Sequence, residues 1–374
     1  MYTEKDLAMI AKRQNNQKRN YLVVNPLQGK HIPVSPGKCL EMFERLAEEI
    51  KTAYPGEKLL LIGFAETATA IGAAAAAALG CGYMQTTREA MADVDWLYFT
   101  ESHSHATEQK LVRGDLQEQL PRTDRIVFVE DEVTTGNTIL KIVQIIRKLD
   151  KGQVKFSVAS LLNGMDKESL ERYEQEGIRL HYLVKTDHSK YPQIAGSASG
   201  DGCYVKTLRR RDRTYTDIQT FGGLVDTRRY TDGSAYARAC QNLWLQVNER
   251  YSVKSADRIL VLGTEEFMYP GLYVASKMEE KGCFVRYHAT TRSPIEVSTA
   301  PDYPLHTRYE LKSFYDPERI TYIYDLDGYD KVFVITENRP ENQAGAETLL
   351  HGLEMNGNRE IHLIKWETGH EDFI

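Results

Sequence analysis

Two adjacent carboxylates, Glu130 and Asp131, stand just ahead of a run of hydroxyls and one glycine, Thr134-Thr135-Gly136-Asn137-Thr138. Hydroxyls, a glycine that permits close approach and the free amides of a helix N-terminus together make an anion site. The acids decide which anion. A triphosphate loop ends in Gly-Lys-Ser/Thr to neutralise charge, whereas this one has no lysine and carries Glu130, Asp131 and Glu132 at its mouth. A polyphosphate lying on those acids would be repelled. A 5′-monophosphate held by the loop, with the two hydroxyls of its ribose donating to the carboxylates, meets no such conflict.

The elements that position these groups are legible on either side. Ile126 to Val129 form an apolar run suited to a parallel strand covered on both faces. Ile139, Ile142, Val143, Ile146 and Leu149 recur at helical spacing, with Lys141, Arg147 and Lys148 on the other side.

This stretch resembles the signature of the type I phosphoribosyltransferases, orotate phosphoribosyltransferase among them: an apolar strand, two acids, then Thr-Thr-Gly-x-Thr. It departs from that signature at Glu132, where the family usually has an apolar residue, so a third carboxylate bears on the ribose end or on a metal. The resemblance implies Mg²⁺-dependent transfer of a phosphoribosyl group from 5-phosphoribosyl pyrophosphate to a base or base analogue, with release of pyrophosphate. In that reading Thr134 to Thr138 hold the 5′-phosphate, while Glu130 and Asp131 bind the ribose hydroxyls and the metal. The same cradle leaves two alternatives open: a non-catalytic regulator that binds phosphoribosyl pyrophosphate or a nucleotide, and the reverse reaction in an unusual nucleoside pathway.

A second loop follows the strand Lys58 to Ile62, where Gly63 precedes small residues and an alanine-rich helix. In the resembled family it holds pyrophosphate, and that role falls to Ala65, Glu66, Thr67 and Ala68. The family's mobile lid would lie around Phe99 to Gly114. Arg88, His103, His105, Lys110 and Arg113 are its candidate donors, and Lys30 in the proline-rich loop 25–36 is either a further phosphate donor or a solvated lysine. The pair His103 and His105 lacks a third ligand nearby in sequence, so zinc is not expected.

At 374 residues the chain should hold two domains. Strands and helices alternate to about residue 185, which predicts a doubly wound α/β parallel sheet of about five strands over 1–185. A polar helix or arm is expected before it, at 3–19. Residues 186–225 show no periodicity and read as a linker or base-recognising hood. A second, Rossmann-like α/β domain should occupy 226–374. It repeats the first: Gly63 to Arg88 spans 25 residues and Gly263 to Arg292 spans 29, each ending in Thr-Thr-Arg. Arg88 to Glu130 spans 42 and Arg292 to Thr336 spans 44. Where the first copy has its cradle, the second has Asn338-Arg339-Pro340, so it should not hold a ribose phosphate in the same way. The string Thr291-Arg292-Ser293-Pro294 resembles the C-terminal TRSP domain that accompanies a phosphoribosyltransferase-like domain in tellurium-resistance-type gene clusters. Tyr324-Asp325-Leu326-Asp327-Gly328 looks like a phosphatase nucleophile motif, but an Asp-Gly turn is the better account.

The net charge of −6 argues against nucleic acid as partner. The Arg209 to Arg213 cluster reads as a solvated face. Five scattered cysteines and no apolar run of bilayer length predict a cytoplasmic protein with no membrane partner. A homodimer is compatible with the sequence.

Overall fold

Two parallel sheets of the same strand order make up the frame of the computed structural model, which describes residues 1–14, 19–99, 109–150, 153–209 and 215–369. The first runs Thr231–Asp232, Gly82–Gln85, Leu59–Gly63, Arg125–Val133, Lys155–Asn163, Arg179–Lys185. All its pairings are parallel except the one made by the two-residue edge strand. The second runs Phe284–Ala289, Arg258–Gly263, Lys331–Glu337, Glu360–Trp366, Asp217–Phe221 and is parallel throughout. Ile126, Val127, Phe128 and Val129 are fully buried, as the apolar run requires of a strand covered on both faces.

The repeat extends to side chains. Gly63 and Gly72 leave room for the ring of Tyr83, whose hydroxyl donates to the Thr69 carbonyl at 2.8 Å. In the second half Gly263 and Gly271 make the same room for Tyr287, which donates to the Met268 carbonyl at 3.0 Å. A Cβ on Gly63 would lie 2.7 Å from the Tyr83 hydroxyl, so helix and sheet can approach this closely only through glycine.

The halves also interlock. An 18-residue helix opens each one, Pro36–Ala53 and Gly233–Arg250. The residues leading into each helix pair with a strand of the other half: Val34 with Tyr287, and Thr231 with Tyr83. Glu279 of the second half accepts from the Ser35 hydroxyl and the Gly37 amide, at 2.7 Å each, at the start of the first helix.

Two expectations need correction. The arm expected as a helix is helical only over Glu4–Leu7. Met9–Lys12 is a strand, because antiparallel pairing with Tyr21–Val24 outweighs local preference. The described residues of 186–225, expected as a linker or hood without regular structure, include packed elements. Tyr191–Gly196 is a short helix packed on the Met9–Lys12 strand, and Cys203–Lys206 and Asp217–Phe221 join sheets of the second half through Thr307–Lys312 and Glu360–Trp366. Among the described residues no helix is long and apolar enough to cross a membrane.

Candidate functional site

The cradle is built from one strand and the helix that follows it. Arg125–Val133 ends in the acids, and Asn137–Asp150 begins right after Gly136, which has φ +65°. The loop is fixed from behind by the helix Lys167–Gln175. The Tyr173 hydroxyl donates to the Gly136 carbonyl at 2.7 Å, and Arg172 donates to the Thr135 carbonyl at 3.0 Å. Drawing the carbonyls back leaves amides on the open side. Those of Gly136, Thr138 and Ile139 meet no acceptor among the described residues, and Thr135 and Asn137 are exposed beside them. Backbone N–H groups at a helix N-terminus are suited to a phosphate.

Gly136 cannot be exchanged. A Cβ there would lie 2.1 Å from the Tyr173 hydroxyl, at a positive φ that other residues avoid. Gly136→Ala should therefore push the loop off Tyr173 and weaken binding of a sugar phosphate by at least about tenfold, since one lost charge-assisted hydrogen bond is worth roughly 1.5–3 kcal/mol. Titration of wild type and variant with ribose 5-phosphate reads this directly, and unchanged affinity would remove the loop from the site.

The acids differ from one another. Burial, with Asp131 beside it, lifts the Glu130 carboxyl well above the usual range, and Arg88 only partly opposes this. Burial also raises Asp131, against the pull of backbone amides and Arg19. Neither makes an ion pair among the described residues, so both offer free oxygens. Glu132 is committed: Arg19 holds it at 2.6 Å and His188 lies 3.2 Å away. Burial depresses His188 to about 4, so its ring is neutral near pH 7 and bonds also to the Tyr21 hydroxyl and Thr186. The third carboxylate thus ties the N-terminal hairpin to the segment at 188–191.

Among the described residues no three His, Cys, Asp or Glu side chains gather as a metal cage. The donor set nevertheless fits Mg²⁺, which keeps much of its water and takes one or two carboxylates plus oxygens of a phosphorylated substrate. Glu130 and Asp131 would hold it.

The second loop, at the end of Leu59–Gly63, is held more tightly than the first. Ala65 donates to the Thr86 hydroxyl at 2.8 Å and accepts from Gln109 at 2.9 Å. The amides of Glu66 and Thr67 are left without an acceptor among the described residues, and Ala68 opens the buried alanine-rich helix Ala68–Leu79. The Glu66 carboxylate pairs with Lys30 and, at 2.7 Å, with Arg292.

Arg88 follows the strand Gly82–Gln85, next to Leu59–Gly63 in the sheet, and its charge acts on Glu66, Glu266 and Glu130. Its Nε is buried without a hydrogen-bond partner, and among the described residues it makes no ion pair. The other expected donors fall elsewhere. Lys30 is 1% exposed and spends all three N–H groups on Glu66 and on the carbonyls of Glu265 at 2.9 Å and Thr290 at 3.0 Å, so none remains for a phosphate. Arg113 pairs with Asp95 at 3.2 Å at the foot of the hairpin Trp96–Tyr98 and Lys110–Val112. Lys110 sits on that hairpin with its ammonium over the Trp96 ring, and His103 and His105 lie outside the described residues.

The sequence did not reveal the charge cluster between the halves. Arg292 pairs with Glu66, with Glu89 at 3.2 Å and with Glu266 at 2.6 Å, and Arg319 pairs with Glu89 at 2.6 Å and Glu265 at 3.2 Å. Burial raises Glu265 to about 7. The repeated Thr-Thr-Arg was the one available signal, and it marked Arg292 as the counterpart of Arg88. Asp325, from the phosphatase-like string, accepts the His306 and Thr307 amides. A surface groove of about 970 Å³ beside Tyr2, Lys38 and Arg45 shares no residue with the cradle.

A family model described as phosphoribosyl transferase matches residues 7–188, and another, described as the TRSP domain C-terminal to it, matches residues 228–353. The chain is a phosphoribosyltransferase-family protein with a C-terminal TRSP domain. By family it is an enzyme of the pentosyltransferase class. Among solved structures, it is similar to adenine phosphoribosyltransferase from Giardia lamblia complexed with 9-deazaadenine (14% identity, 50% of this chain and 100% of that one, TM-score 0.36). It is also similar to adenine phosphoribosyltransferase from Thermoanaerobacter pseudethanolicus (17% identity, 49% and 97%, TM-score 0.34) and to orotate phosphoribosyltransferase from Aeropyrum pernix (17%, 50% and 92%, TM-score 0.32). No curated relative matches the chain.

In the TRSP half the position equivalent to the cradle is filled. The strand Lys331–Glu337 ends in a carboxylate paired with Arg228 and, at 2.9 Å, with Arg339. The space left beside Arg228, Glu266 and Tyr315 is about 10 Å³, barely room for one water.

Proposed function

We propose that the protein transfers a phosphoribosyl group from 5-phosphoribosyl pyrophosphate to a nitrogenous base or analogue and releases pyrophosphate. The observation that carries this is a pair of loops with free amides at the C-terminal ends of adjacent parallel strands, with two carboxylates that make no ion pair among the described residues and an arginine, Arg88, that makes none either. The amides of Gly136, Thr138 and Ile139 take the 5′-phosphate. Glu130 and Asp131 accept the ribose hydroxyls and stabilise the positive charge that develops on the sugar as the carbon–oxygen bond to pyrophosphate breaks. The amides of Glu66 and Thr67, with Arg88, receive the leaving pyrophosphate. Mg²⁺, held by Glu130 and Asp131, would supply neutralisation of the diphosphate charge. The base side is formed by the Tyr21, His188 and Tyr191 rings, which pack on one another beside Glu132. The cysteines among the described residues are all unpaired, which suits a cytoplasmic location.

Calorimetric titration with 5-phosphoribosyl pyrophosphate and Mg²⁺, followed by pyrophosphate detection across a panel of purines, pyrimidines and analogues, tests the reading. Saturable binding and pyrophosphate release with at least one base are expected. Binding without release across the panel would favour a regulator, and absence of binding would overturn the assignment.

A further inference from the structure

The two halves meet through their Thr-Thr-Arg segments, and the contacts are reciprocal. Thr86 accepts from the Ala65 amide at 2.8 Å, and its counterpart Thr290 accepts from the Glu265 amide at 3.1 Å, which aligns Ala65 with Glu265 and Glu66 with Glu266. Across the interface, the Arg88 amide donates to Glu266 at 3.0 Å, and the Arg292 amide donates to Glu66 at 3.3 Å. Thr87 also donates to Glu266, at 2.6 Å.

At the guanidinium groups the symmetry fails. By position Arg88 should compete for Glu66 from its own half and for Glu266 from the other, since its backbone already touches one and its electrostatic neighbours include both. Arg292 holds both instead, and with Arg319 it also holds Glu89, which directly follows Arg88 in the chain. The acid of the TRSP loop, Glu265, has only Ala65 as its counterpart near Arg88. Four carboxylates are thus gathered by Lys30, Arg292 and Arg319, whereas Arg88, whose buried Nε has no hydrogen-bond partner, makes no ion pair among the described residues.

We propose that the TRSP half acts as a carboxylate sink. Arg292 is a positioning residue that keeps Glu66 and Glu266 off Arg88, leaving that guanidinium free for the diphosphate end of the substrate. The proposal rests on the transfer reading above, and it gives the filled pseudo-site a role: its own arginine has been turned from ligand binding to charge management for its neighbour. Without Arg292, Glu66 would keep only Lys30 and Glu266 only the Thr87 hydroxyl and the Arg88 amide, in a buried setting, and Arg88 is an unpaired guanidinium on which both acids act. A captured Arg88 would lose its affinity for diphosphate.

The experiment measures affinity for 5-phosphoribosyl pyrophosphate with Mg²⁺, steady-state KM and kcat, and the urea midpoint, for the full-length wild type, Arg292→Gln, Arg292→Lys and the double variant Arg292→Gln/Glu66→Gln. The expected result for Arg292→Gln is a loss of about tenfold or more in affinity, the size of one charge-assisted contact, carried mainly by KM. Arg292→Lys should retain most of the affinity because it keeps the charge. The double variant should recover part of the binding lost in Arg292→Gln, because one of the two carboxylates that would capture Arg88 is gone. A purely structural role for Arg292 would leave the double variant as weak as the single one. That outcome overturns the proposal, as does near-wild-type binding by a folded Arg292→Gln. If Arg292→Gln does not fold, Arg292→Lys and the double variant decide by the same comparison with wild type, and a double variant that binds more than tenfold below wild type counts against the sink. Failure of the wild type itself to bind would instead remove the transfer reading.

Discussion

Replacing Glu130 by Gln, or Asp131 by Asn, is expected to remove most of the turnover while making the ligand-free protein more stable. Both carboxyls are raised, chiefly by burial, with each other's charge or backbone amides as smaller influences. A raised folded pKa means that the fold holds the proton more tightly than the unfolded chain does. The stability so gained is complete below the unfolded value near 4 and is lost as pH climbs through the folded value. At pH 8 the native state therefore carries a penalty for keeping two acids side by side out of water, and an amide of the same shape lifts it. We expect the variants to have a higher urea midpoint than wild type at pH 8, a gain that disappears near pH 4. Turnover should fall by roughly 10² to 10³, the usual consequence of deleting an oriented group that stabilises developing charge. Urea midpoints at the two pH values, together with pyrophosphate release, measure both effects. If stability and activity fall together, the acids hold the fold and not the sugar.

The cradle could be read from the sequence because its parts are contiguous. Strand, acids, loop and helix occupy Arg125 to Thr138, and each imposes its own local pattern: the apolar run, the glycine that alone tolerates φ +65°, the 3.6-residue period from Ile139. The repeat was legible for a related reason. Intervals between strand-end glycine, arginine and the next strand are set by helix and strand lengths, and these survive when side chains diverge. Long-range partners left no such trace. Lys30 read as a phosphate donor or a solvated lysine in a proline-rich loop, and only the approach of Glu265 and Thr290, more than 200 residues away, makes it a buried cross-link. Met9–Lys12 and Cys203–Lys206 carry weak patterns of their own, and they are strands because Tyr21–Val24 and Thr307–Lys312 complete their hydrogen bonds. Glu132 is the intermediate case. Its departure from the family signature was plain in the sequence, but its pairing with Arg19 and His188 needed the hairpin and the 188–191 turn to be folded over the strand end.

Lys30→Met should be among the most destabilising single changes in the chain. The substitution keeps the length and the apolar stem, so packing around the side chain is little altered and the loss is electrostatic. Two buried carbonyls, of Glu265 and Thr290, lose their only side-chain donor, and Glu66 is left to Arg292 alone. Burial by itself would raise the Glu66 carboxyl, and Lys30 and Arg292 together bring it down to about 2. A depressed carboxylate contributes stability that is present above its unfolded value and is lost as pH falls toward 2, so the variant should also have a flatter acid limb. Removing one partner of a buried pair costs roughly 3–5 kcal/mol, and most of that cost is the charge left behind. Adding Glu66→Gln to Lys30→Met should therefore recover part of the loss, by about 1–3 kcal/mol, because the two positions are directly coupled. Urea unfolding of the two single variants and the double variant gives the coupling energy. Should Lys30→Met unfold like wild type yet bind 5-phosphoribosyl pyrophosphate poorly, the lysine belongs to the substrate after all, and the interlock between the halves must be held by other groups.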